Sequence, residues 1–166
     1  MATVEEARRF LKGYRKAVVN IESLKDENEG HRSKLYSVPM TARYSDEGGC
    51  SSVASDKMGD DVAEYVDYKQ SIKEELRAFV QIREDVHGIV RRTFDVNEKW
   101  GLSLHYRYID WLRPTVVANE MDCLNTGDER GYHRDALKYV ANMFPDTIER
   151  DLALLDSMSR REERKC

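Results

Sequence analysis

The chain predicts an all-α fold, a long antiparallel helical hairpin followed by a small helix-turn-helix-like module. Three observations predict it. Apolar residues recur at steps of three and four over two long segments, the period of one helix face. Charged residues make up 35% of the chain against 40% apolar, which suits long helices with solvated outer faces. Three prolines and nine glycines occur in 166 residues, mostly clustered, so the stretches between them can run for many turns. The expected divisions are 1–97 for the hairpin, with a flexible loop at about 39–59, 98–145 for the module, and 146–166 for a C-terminal helix and basic tail.

The first helix begins at Thr3, because Thr3 and Glu6 have the spacing of a capping box. Val4, Ala7, Leu11, Tyr14, Val18 and Ile21 then form one stripe, which slips in phase to Leu24, His31, Leu35 and Val38. Val38-Pro39 ends it, since proline lacks an amide donor and disfavours helix at the residue before it. Gly48-Gly49 and several serines mark the loop. From Asp60 the rhythm returns in Val62, Tyr65, Ile72, Leu76, Phe79, Val86, Val90 and Thr93, with Lys69 and Arg83 in its gaps and Ile82, Ile89 and Val96 widening it. Two such stripes should face each other and pack antiparallel.

An aromatic stretch, Trp100, Tyr106, Tyr108 and Trp111, opens the module, and Arg113-Pro114-Thr115 stops and restarts the helix. The indoles could stack on bases, but their spacing better suits packing of the module onto the base of the hairpin. A short helix carrying Val116, Val117, Ala118 and Met121 should follow, then a turn over residues 122–128 and a helix from Tyr132 to Phe144. Ile148, Leu152, Leu155 and Met158 define a last helix, whose terminal Arg160, Arg161, Arg164 and Lys165 suit the helix dipole.

Composition narrows function. The net charge of −4 restricts phosphate binding to a local patch. Cys50, Cys123 and Cys166 are odd in number and far apart, which predicts a reducing compartment and neither a disulfide scaffold nor a zinc site. No apolar run resembles a signal peptide or a membrane span, so the expected location is the cytoplasm, away from membranes. His31, His87, His105 and His133 are scattered without a metal-ligand spacing, and Asp60-Asp61 and Glu74-Glu75 point to different helix faces. Without a phosphate-cradling glycine loop or a nucleophile elbow, the expectation is a protein that is not an enzyme and carries no cofactor.

Three short helices, the last two joined by a polar turn, meet the physical requirement of a helix-turn-helix. Further features are Glu5-Glu6-Ala7-Arg8-Arg9-Phe10-Leu11, the break at Val38-Pro39-Met40, Leu104-His105-Tyr106-Arg107-Tyr108, Val117-Ala118-Asn119-Glu120-Met121 and Tyr132-His133-Arg134-Asp135-Ala136-Leu137-Lys138. In these the chain resembles phage and prophage sigma-70-region-4-like helix-turn-helix regulators of Gram-positive bacteria, relatives of late-gene transcription activators. The resemblance runs to about Val140 and implies a sigma region 4-like module that reads duplex DNA. It places Tyr132, His133, Arg134 and Lys138 on the reading helix, with Arg130 beside them, and Thr115, Asn125 and Thr126 at turns and helix starts that hold phosphates. RNA polymerase or a second copy of the chain, as a homodimer, would engage the hairpin.

The chain departs from that pattern in its charge and its turn. Asp122 stands where the family usually has glycine, the turn is about one residue longer, and Gly131 weakens the reading helix. Residues 98–145 hold six Lys or Arg against seven Asp or Glu. This acidity motivates an alternative: a phage-encoded, anti-CRISPR-like protein inhibitor that presents Asp122, Asp128, Glu129 and Asp135 to a host nucleic-acid-processing enzyme such as a Cas nuclease.

Overall fold

The computed structural model describes the backbone of residues 1–37 and 54–165, and the side chains of 1–33, 63 and 65–159. Among the described residues all regular structure is helical: α1 (Val4–Ser37), α2 (Ala54–Val96), α3 (Glu98–Leu104), a π-turn (His105–Ile109), α4 (Pro114–Glu120), α5 (Thr126–Met143) and α6 (Pro145–Lys165). No described helix is long and apolar enough to cross a membrane.

α1 starts where its capping box places it: the Glu6 amide donates to Thr3 Oγ1 at 3.2 Å and the Thr3 amide to Glu6 Oε2 at 2.7 Å. Its stripe of Ala7, Leu11, Tyr14, Ile21 and Leu24 is buried, joined by Phe10 and Ala17 from the adjoining row. α2 answers with Ile72, Phe79, Ile82, Val86, Ile89, Val90 and Thr93. Tyr14 faces His87, with Oη and Nε2 2.9 Å apart, and farther along the hairpin His31 faces Tyr68, with ring centroids 4.1 Å apart. Partners that rise on one helix as they fall on the other define antiparallel register.

α2 differs from expectation at two points. α2 begins at Ala54 rather than Asp60, since a single interior glycine, Gly59, costs about 1 kcal/mol and does not break a helix whose other residues tolerate it. The part of the expected loop before Ala54 lies outside the described residues. Val96 is exposed rather than part of the packed stripe, because α2 ends there and Asn97 caps the next helix, accepting from the Trp100 amide at 3.2 Å.

The corner between α2 and α3 is tight. A Cβ at Gly101 would lie 2.3 Å from Phe94 Cγ and 2.7 Å from Phe94 Cα, so the residue must lack one for the helices to meet. Trp100 is half-buried beside Tyr139, ring centroids 5.9 Å apart, in the packing role expected of it. Leu104, Tyr108, Leu137, Val140, Ile148, Leu152 and Leu155 belong to the same buried cluster as Phe10, Leu11 and Val86. The C-terminal helices therefore close over the base of the hairpin. Along α6, Arg9 pairs with Asp156 and Lys16 donates to Ser159 Oγ at 2.7 Å, which fixes that helix against α1.

A candidate anion-binding groove

α5 begins at Thr126, six residues before its expected start at Tyr132. The cause is Asn125, whose side-chain oxygen accepts from the amides of Gly127 at 2.7 Å and Asp128 at 3.0 Å and so caps the helix. The early start brings Glu129 and Arg130 onto the helix, one turn before His133 and Arg134. Glu129 and His133, one turn apart, face the π-turn and are buried, while Arg130, Arg134 and Lys138 share an outward face.

The inward pair forms the floor. Glu129 is 0% exposed and accepts from Arg107 at both oxygens, the Nε contact being 2.6 Å, and from Ser103 Oγ at 3.0 Å. Beside it the His133 ring stacks on Tyr108, with Nε2 and Oη 3.0 Å apart. Burial, helped by the Arg107 charge, pushes the His133 imidazole down to about 4, and burial pushes the Tyr108 phenol up to about 12. Both rings are neutral at pH 7.

Above this floor lies a groove of about 790 Å³. Arg8, Lys12 and Arg15, spaced i, i+4 and i+7 along α1, form one wall, and Arg130 and Arg134 on α5 form the other. Arg107, Tyr108 and His133 line the bottom, and Trp111, Leu112 and Pro114 close one end. Among the described residues the lining contains six cationic side chains and no carboxylate, in a chain whose net charge is −4. Glu129 neutralises Arg107. Five cations remain directed at the space, although Arg8 also meets Glu5 at 2.9 Å and Arg134 lies 3.7 Å from Asp135; such exposed pairs are weak and exchange readily for a bound anion.

Of the residues expected to contact DNA, Arg130, Arg134 and His133 come together at this groove. His133 is not the surface contact expected: at 7% exposure and bonded to Tyr108 it supports the floor. Lys138 continues the basic face one turn farther on, 3.6 Å from Asp135. Tyr132, Thr115 and Thr126 lie outside the lining, and Asn125 spends its side chain on its own helix. That cap, followed by Asp128 and Glu129, makes the start of α5 a poor phosphate site.

The acidic set separates as well. Asp128 and Asp135 share a face of α5 about a third of a turn from the basic row, and Asp122 is exposed in the preceding turn with φ 50°. Glu129 is corrected from a partner-binding group to a buried structural one, since its carboxylate is already used by Arg107 and Ser103.

The sequence did not single out Arg8, Lys12, Arg15 or Arg107, and its spacing assigned Trp111 to packing, whereas the residue is 41% exposed. The i, i+4, i+7 spacing of the first three was the available signal, a basic stripe beside the apolar one on α1. Among the described residues no group of His, Cys, Asp or Glu is placed to hold a metal ion. Comparison of the chain with protein-family models, curated proteins and solved structures found no match.

Proposed function

We propose that this protein is a non-enzymatic, DNA-binding regulator that holds duplex DNA by its phosphates along the groove between α1 and α5. The observation that carries the reading is the concentration of Arg8, Lys12, Arg15, Arg130 and Arg134 around one space in an otherwise acidic chain. Arginine is suited to this, because its planar fork donates two parallel hydrogen bonds to a phosphate. Lys138 extends the track along α5. Contacts of this kind position a duplex without selecting a sequence; selection would fall to side chains of the same outward face that reach base edges.

In this reading the role is that of a phage-type transcription regulator, as the sequence resemblance implies, acting in the cytoplasm of a bacterial host. The hairpin arm is the surface for RNA polymerase or a second copy. The buried Arg107–Glu129 pair and the Tyr108–His133 stack fasten the α5 wall to the floor of the groove, so little ordering of that wall is needed on binding.

Fluorescence anisotropy with a labelled duplex of about 20 base pairs at about 50 mM salt tests the reading. The wild type binds, and Arg130→Gln/Arg134→Gln weakens binding at least about tenfold with an unchanged melting temperature. Absence of wild-type binding under these conditions refutes the proposal.

A further inference from the structure

Trp111 closes one end of the groove in a manner that core packing does not explain. The residue is 41% exposed and its backbone has φ 57°, a conformation that bulky L residues avoid and that helix ends ordinarily assign to glycine. The chain is held there from both sides. The Asp110 amide donates to His105 O at 3.1 Å, and the Leu112 amide to Tyr106 O at 2.8 Å, so the end of the π-turn dictates the strained residue. Glycine would satisfy this turn without cost, and a tryptophan therefore needs a reason in its ring.

The ring's setting supplies one. The Arg15 guanidinium sits 5.1 Å from the indole centroid, and Arg8 and Lys12 continue from Arg15 along the same wall. An exposed aromatic plane next to a row of cations is the combination that binds an unpaired nucleotide, whose base stacks while its phosphates lie on the charges. Inside a duplex both faces of every base are covered by the neighbouring pairs, and only a terminal pair presents a face to such a plane.

We infer that the Trp111 end of the groove is a stacking shelf for an unpaired nucleobase, so that the groove also takes single-stranded nucleic acid, with flanking phosphates on Arg8, Lys12 and Arg15. The inference rests on the nucleic-acid reading of the groove and adds a strand preference to it. Leu112 and Pro114, apolar neighbours of the indole in the lining, suit the edge of a base. Thymine and uracil differ in one methyl group and present similar stacking faces, so deoxyribose and ribose strands are the two sources to be distinguished.

The test measures anisotropy of labelled oligothymidylate and oligouridylate, each of about 15 nucleotides, and of a blunt duplex. Wild type, Trp111→Ala, Trp111→Phe and Trp111→Gly are compared, the glycine variant removing the ring while relieving the backbone. Trp111→Ala and Trp111→Gly should both weaken binding of at least one single strand by about tenfold or more, and by at least about fivefold more than they weaken duplex binding. Trp111→Phe should retain most of the affinity, and the strand that loses more identifies the sugar. Single-strand binding that is unaffected by removal of the ring, or single-strand and duplex affinities that fall together, overturns the shelf while leaving duplex binding intact. Failure of the wild type to bind any of the three probes overturns the proposed function and the shelf with it.

Discussion

Replacing His133 with glutamine isolates the cost of burying a neutral imidazole beneath a cationic groove. The ring has an ordinary value of 6.5 and is pushed down to about 4 by burial first and by Arg107 second, with Arg8 adding to the effect and Glu129 opposing it. Below pH 6.5 the unfolded chain takes up a proton that the folded chain refuses, so stability falls as pH falls from 6.5 towards 4. Between pH 8 and pH 5 this linkage removes about 2 kcal/mol. Glutamine can accept from the Tyr108 hydroxyl but does not titrate. Urea unfolding of both proteins at pH 8, 6.5 and 5 should therefore show the wild type losing about 2 kcal/mol relative to His133→Gln, with most of the change below pH 6.5. Groups common to both proteins cancel, including Asp151, whose carboxyl burial raises and which therefore acts in the opposite direction. A stability difference that stays constant across this range would refute the buried, neutral His133 and the floor built on it.

Glu129→Ala should destabilise the fold by about 3 kcal/mol, because it strands the Arg107 guanidinium in a largely desolvated site; Glu129→Leu/Arg107→Met should recover most of the loss, as read by chemical denaturation. Gly101→Ala should cost about 1–3 kcal/mol in the same assay, since the Phe94 Cα it would meet cannot rotate away. Gly131→Ala serves as its control: nothing lies within 4 Å of the added methyl, and the helix should gain up to about 1 kcal/mol.

Much of the architecture was legible because it is local. The Thr3–Glu6 cap, the stripes of α1 and α2 and the apolar row of α6 each depend on neighbours within two turns, and among the described residues these features are present, Val96 excepted. The start of α5 was misplaced because Gly127 and Asp128 read as turn residues, while the decisive interaction, the Asn125 side chain taking two amides, is a choice between cap and turn that composition leaves open. Glu129 and His133 read as surface groups for a related reason. A charged side chain is buried only when a partner arrives, and Arg107 arrives through the π-turn, an irregularity without a sequence period. The charge balance of residues 98–145 gave an acidic impression of the module because half of its basic groove comes from α1, whose Arg8, Lys12 and Arg15 lie about a hundred residues earlier in the chain.

That long-range assembly is the central claim, and the salt dependence of duplex affinity tests it most directly. With at most six cations engaging phosphates, the five of the groove and Lys138, the slope of log K against log salt should be no steeper than about −5.4 in the wild type. Neutralising the α1 wall with Arg8→Gln/Lys12→Gln/Arg15→Gln should make the slope shallower by about 2.7, although none of the three residues lies on α4 or α5. A slope that the triple substitution leaves unchanged would contradict the account, since α5 would then bind DNA without α1 and the groove would not be the site.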